Sequence, residues 1–205
     1  MNDYGLALLL LLAYLIGATP TSYIAGRWGR GIDLREQGSR NLGATNVYRV
    51  LGWRYAIPVG MVDVAKGAVP VAILGPWSNG PPWFTVALGI ATVLGHMFSP
   101  WVRFRGGKGV ATAAGVFLAL VPLALAISLP IWAATLWLSG YVSVASLTAA
   151  VLFPVWVRLA APDQRATFWA AIALALLLVF SHRANIRRLR AGTENRFRTR
   201  KGVAA

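Results

Sequence analysis

The sequence predicts an all-α, polytopic integral membrane protein, and three observations carry that prediction. Of 205 residues, 57% are hydrophobic and 13% charged, about half the charge that a soluble domain carries. Residues 4–26 and 109–157 contain no Asp, Glu, Lys or Arg, and about 20 such residues cross a bilayer as a helix. The net charge of +14 gathers into three clusters, at 27–54, 103–108 and 183–201. Cytoplasmic loops carry the excess of Lys and Arg, so all three clusters are expected on the cytoplasmic face.

That shared face orders the spans by parity. Residues 4–26 enter from outside as a retained span, too long and too poor in basic starts for a cleaved signal. About 55–77 returns outward, and about 82–101 comes back in. The last apolar segment, about 166–181, ends inside. Residues 109–157 must then start inside and finish outside. One helix of that length would reach about 73 Å against a core of about 30 Å. Three short crossings fit, broken near Pro122, Pro130 and Gly140. The expectation is seven transmembrane helices, with five and a re-entrant stretch as fallback. The N-terminus is periplasmic and the C-terminus cytoplasmic. The whole chain, 1–205, forms one membrane-embedded domain, with 182–205 as a basic cytoplasmic tail.

The chain has no cysteine and six acids. Thiol nucleophiles and Cys-ligated metals are excluded, and neither a metal site nor a cofactor is expected. Cations concentrated at membrane boundaries point to anionic lipid and not to nucleic acid.

Polar residues stand where lipid should not tolerate them. Asp63 and Lys66 are three apart on one helical face, in the second span. They pair structurally or orient arginines of the adjacent loop. His96 closes the third span, and His182 stands at the matching end of the last, followed by Asn185 on the same face. The first loop reads "GSRNLGATNVYRVLG" at 38–52, where Ser39, Asn41, Thr45 and Asn46 precede Arg49. Backbone amides at a helix start plus arginine make an anion site. The second loop reads "FRGGKGVATAAG" at 104–115. Gly106, Gly107 and Gly109 let amides converge around Lys108, with Thr112 one turn on, and phosphate suits that chemistry. Val102 and Gly109 occupy places where a Walker A loop needs Gly and Ser or Thr, so nucleotide hydrolysis is disfavoured.

With a third segment, "HRANIRRLRAGTE" at 182–194, the chain closely resembles the bacterial acyl-phosphate:glycerol-3-phosphate acyltransferase family. The matching motifs are "GSRNLGATN" at 38–46, "GHMFSPWVRFRGGKGVAT" at 95–112 and that third segment. One departure is Arg40, where the family pattern has glycine. The resemblance implies a monomeric, seven-helix enzyme of the bacterial inner membrane whose active site faces the cytoplasm. It implies acyl transfer from acyl-phosphate to the sn-1 hydroxyl of glycerol 3-phosphate, giving lysophosphatidic acid and phosphate for phospholipid synthesis. Carried over by position, Ser39, Lys108, His182 and Asn185 are the catalytic candidates. Asn41, Thr45, Asn46, Arg49, Lys66, His96, Gly106, Gly107, Gly109, Thr112 and Glu194 are candidates for substrate or phosphate binding. Lys108 would bind phosphate, Arg49 and Asn46 the glycerol 3-phosphate, and Glu194 would anchor the tail. His96, His182 and a substrate phosphate oxygen stand open as the base. From the residues alone, a transporter of phosphorylated solutes remains the alternative.

Overall fold

The computed structural model describes residues 2–197, so Met1 and the end of the expected basic tail, 198–205, lie outside the described residues. Every regular element described is helical.

Helix α1 (Asp3–Ala18) opens with the Asn2 side chain accepting from Gly5 N. It ends because Thr19 precedes Pro20, whose ring disfavours the α conformation before it. α2 (Thr21–Arg30) follows and stops at Gly31, in the left-handed region at φ 68°. A loop leads to α3 (Ala44–Leu51) and α4 (Trp53–Val69). α4 continues through a π-helical turn, Pro70–Leu74, into α5 (Gly75–Ser78). Then come α6 (Pro82–Met97), a 3₁₀ turn at Pro100–Val102 and the glycine-rich loop. α7 (Val110–Leu120), α8 (Pro122–Ser139), α9 (Val142–Ala160), α10 (Arg165–Ser181) and the short basic α11 (Arg183–Arg190) complete the chain.

Three helices occupy 109–157, divided at Val121 and at Gly140 (φ 75°). No break occurs at the third expected place: Pro130 lies inside α8. One missing N–H is tolerated within an apolar helix, whereas Val121 sits before Pro122 and is driven out of the α region. Among the described residues, five helical stretches are long and apolar enough to cross a membrane, and a sixth is reached if α10 and α11, bent by 54°, count as one. α7 is apolar but only 11 residues long.

Close helix pairing rests on glycine, as it does where lipid removes the hydrophobic drive between helices. A Cβ on Gly17 would overlap the Thr92 carbonyl, and one on Gly95 the Tyr14 carbonyl, so α1 and α6 touch backbone to backbone. Gly67 and Gly115 do the same for α4 and α7, against the carbonyls of Thr112 and Val64. Gly115→Val should therefore destabilise the fold by about 1–3 kcal/mol, read as a lowered unfolding midpoint in detergent. An unchanged midpoint would show that the two helices are free to separate.

The first loop keeps the shape a glycine would give it. Arg40, the departure from the family pattern, has φ 60°, a conformation that costs a side chain about 1–2 kcal/mol. Arg40→Gly should relieve that strain and raise the thermal midpoint, and a lower midpoint would mean the arginine side chain more than offsets it.

Candidate active site

The first loop is built before any ligand arrives. Arg35 grips Asp33 with Nη2 at 2.7 Å and Nε at 3.0 Å, and its Nη1 donates to Val102 O at 3.2 Å, tying this loop to the second. The Arg35 bonds hold the Asp33 carboxyl below its ordinary range against the opposing effect of burial. Asn46 ties the loop together. Its Nδ2 donates to Leu34 O and Gln37 O, and its Oδ1 accepts from Ser39 N at 2.8 Å. Asn46 thus presents Ser39, and although it borders the cavity both of its Nδ2 donors are spent on the loop, leaving one acceptor site on Oδ1.

The glycine-rich loop is docked on the end of α6. Gly106 N donates to Met97 O and Gly107 N to His96 O, at 3.1 and 3.2 Å. A Cβ at either position would strike the His96 carbonyl or ring. These glycines are therefore required by close packing, and their amides do not converge on a ligand as the sequence suggested. Their effect is on Lys108, the next residue, whose Nζ donates to Asn185 Oδ1. Gly109, at φ 85°, then turns the chain into α7.

The third segment completes a polar chain. Asn185 Nδ2 donates to Glu194 Oε1 at 2.5 Å, Ser143 Oγ donates to the same oxygen at 3.0 Å, and Arg188 Nε donates to Oε2 at 2.7 Å. Burial alone would raise the Glu194 carboxyl, but these bonds outweigh it and hold it low. Burial pulls the Lys108 ammonium down to about 8, opposed by Glu194 and reinforced by Arg188 and Arg49. His182 Nδ1 lies 2.8 Å from Leu178 O. A carbonyl only accepts, so Nδ1 carries the proton and Nε2 is the nitrogen able to take one.

One cavity of about 420 Å³ joins these parts. Its polar end holds Ser39, Asn41, Thr45, Asn46, Arg49, Asp63, His96, Lys108, Gly109, His182, Asn185 and Glu194. From there it continues as an apolar arm between α7, α8, α9 and α10, past Leu178, Trp132 and Leu174 to Phe117 and Phe153. Among the described residues the Arg49 guanidinium donates no hydrogen bond to another residue, so it faces the cavity with its donors open. No group of three or more His, Asp or Glu among the described residues could hold a metal ion.

Four of the expected binding residues stand outside this cavity. Gly106 and Gly107 are behind it, packed on α6. Thr112 is fully buried where α7 meets Gly67. Lys66 is engaged by Asp63 Oδ1 at 2.8 Å and Thr19 O at 2.9 Å. Asp63 Oδ1 also accepts from Thr21 Oγ1 at 2.6 Å, and among the described residues no arginine of the first loop pairs with this carboxylate. That oxygen stands 3.7 Å from His96 Nδ1, an acid–histidine proximity that 33 residues of separation hide in the sequence. Ser143 and the individual residues that line the apolar arm were not picked out from the sequence. The signal for them was present: small residues recur at Ser143, Ser146, Ala149 and Ala150, one face of α9.

Comparison with known proteins identifies the family. The family model described as glycerol-3-phosphate acyltransferase matches residues 7–192. The glycerol-3-phosphate acyltransferase of Geotalea daltonii is 44% identical, over 93% of this chain and 96% of its own. That of Fusobacterium nucleatum is 41% identical, over 92% and 96%. The crystal structure of PlsY (YgiH), an integral membrane glycerol 3-phosphate acyltransferase in its glycerol 3-phosphate form, superposes with a TM-score of 0.89 at 37% identity. It covers 95% of this chain and 96% of that one. The lysophosphatidic acid form of PlsY gives a TM-score of 0.86 at 35% identity, over 94% and 95%. A multi-pass membrane architecture, a cationic cavity with a greasy extension and these matches lead to one assignment: the chain belongs to the glycerol-3-phosphate acyltransferase family.

Proposed function

We propose that this protein moves a fatty acyl group from acyl-phosphate to the sn-1 hydroxyl of glycerol 3-phosphate, releasing lysophosphatidic acid and phosphate. The observation that carries the reading is the single cavity whose cationic end runs directly into an apolar arm. Both halves of an acyl-phosphate fit there at once. A cavity whose lining ends at the layer of Phe117, Leu125, Phe153 and Ala171 suits transfer better than carriage of a solute, which needs a path to the other face.

Acyl-phosphate is already activated, so the protein needs no covalent intermediate. It must bring the hydroxyl to the carbonyl and neutralise charge. Lys108, steadied by Asn185, binds the transferring group's phosphate. Arg49 and Ser39 hold the glycerol 3-phosphate, with Asn41 and Thr45 beside them. The hydroxyl oxygen forms the new ester bond while the carbonyl–phosphate C–O bond breaks. The hydroxyl proton goes to His182 Nε2 or to the departing phosphate oxygen, both of which are bases within this design. Glu194 aligns Asn185 and Arg188 from beneath.

The remaining parts of the reading concern setting. The chain acts as one domain and as a monomer, in the bacterial inner membrane, with the cavity opening to the cytoplasm. We count seven membrane segments, N-terminus outside, taking the half-length α7 together with the longer helices. The clustering of Arg and Lys beside the cavity mouth supports this orientation.

Purified protein given palmitoyl phosphate and labelled glycerol 3-phosphate should form lysophosphatidic acid, and palmitoyl-CoA should not replace the donor. Product from the coenzyme A ester alone would overturn the reading. Lys108→Ala should lower kcat/KM by at least about 100-fold, the scale of a lost charge-stabilising donor, while the protein stays folded in detergent. Lys108 must be protonated to hold phosphate, and its pKa of about 8 lies well below an ordinary lysine. Hence kcat/KM should be level at neutral pH and fall about tenfold per unit once pH rises past about 8, since this parameter follows the free enzyme. A profile flat to pH 10 would separate Lys108 from binding.

A further inference from the structure

The cavity has a floor, and all four helices that wall it stop lining it at the same layer. On α9 the lining stripe runs Ser143, Ser146, Ala150, Phe153; one turn on, Val157 is wholly buried and no longer borders the space. On α10 the stripe ends at Ala171, on α7 at Phe117 and on α8 at Leu125. Immediately past them, Val121 and Ala124 are packed solid, at 4% and 0% exposure. The rings of Phe117 and Phe153 meet across this layer, with centroids 4.4 Å apart and planes tilted by 47°. From Val142 to Phe153 is 11 residues of helix, about 16 Å of depth.

We propose that the Phe117–Phe153 ring pair is a length gauge that sets which acyl chains this protein accepts. The proposal rests on the acyl-transfer reading above and adds its specificity-determining residues. The space is filled from the charged end, because the reacting carbonyl must sit beside Lys108. The distal carbons therefore meet the two rings. A chain that ends short of them leaves apolar surface unfilled. A longer one must bend or withdraw its head from the cations. Each methylene seated or unseated is worth about fourfold in kcat/KM.

The test uses full-length protein in detergent and compares kcat/KM for myristoyl, palmitoyl and stearoyl phosphate. Phe153→Ala lowers the floor, so the stearoyl-to-myristoyl ratio should rise at least about fourfold. Ala150→Leu fills the arm one turn above the rings and leaves the packed layer intact, so the ratio should fall by a similar factor. If Phe153→Ala does not fold, Ala150→Leu decides alone. Thermal stabilisation by lysophosphatidic acids of the same three chains reads the floor whatever the acyl donor is. The optimum chain should shift longer in Phe153→Ala and shorter in Ala150→Leu. Transfer with an unchanged profile in each folded variant overturns the gauge and leaves the acyl-phosphate reading intact, because the chain then leaves sideways into lipid. No transfer from any acyl phosphate, with the stabilisation optimum still shifting, overturns the donor and keeps the gauge.

Discussion

The structure depends on how the Lys108 loop is seated at the end of α6. The last turn of a helix leaves carbonyls without partners, and here two of them, on His96 and Met97, are taken by the amides of Gly107 and Gly106. That contact is possible only without side chains on the incoming residues. It brings a backbone segment under the helix end, and the next residue emerges pointing across to Asn185. An ammonium on a flexible stem would otherwise sample many positions. Here the backbone and Asn185 limit them. The same α6 end is joined to α1 through Ser99 Oγ donating to Ala18 O at 2.5 Å and Tyr14 Oη to Phe98 O at 2.6 Å. α1, α6 and the loop thus form one rigid support for a single charge.

Charge balance then explains why the site wants an anion. Lys108, Arg49 and Arg188 converge on the cavity region around Glu194, the acid whose field opposes the depression of Lys108. Glu194 is already gripped by Arg188 and Asn185 and cannot satisfy all three cations. Desolvating cations without full compensation is unfavourable, and a phosphate relieves it. Lys66 and Asp63 form a second buried pair between α4 and the α1–α2 junction, where Asp63 also borders the cavity beside His96. The two sets of buried charge differ in one respect: the second matches one acid with one lysine, whereas around Glu194 one acid faces three cations.

The fold class and the loops that matter were legible because each leaves a local mark. Charge-free runs, basic clusters and turn residues are read within a short window, and they placed the helices and brought Ser39, Arg49, Lys108, His182 and Asn185 forward, with Glu194 added by the family resemblance. What stayed hidden depends on contact between distant segments. Gly106 and Gly107 look like an anion cradle in sequence, and only the α6 carbonyls show that they are packing residues. Asn46 looks like a ligand and is the hub of its own loop. Thr112 faces a neighbouring helix because α7 must lie against Gly67. Pro130 looks like a break, yet a helix with apolar surroundings carries it. Arg40 was legible in part: its departure from glycine was visible, and the left-handed conformation it adopts shows that the loop, not the residue, dictates the backbone.

The shortness of α7 connects the phosphate end to the apolar arm. Eleven residues rise about 16 Å, roughly half of a hydrocarbon core. α7 begins two residues after Lys108 and stops at Leu120, two residues before Pro122, so the cation stands at one end and Phe117, part of the cavity floor, near the other. A full-length span at that position would set charge and floor about twice as far apart. Pro122 is therefore as much a part of the cavity as the residues that line it: by stopping α7 early it sets the distance between the group that holds the headgroup and the rings that meet the chain.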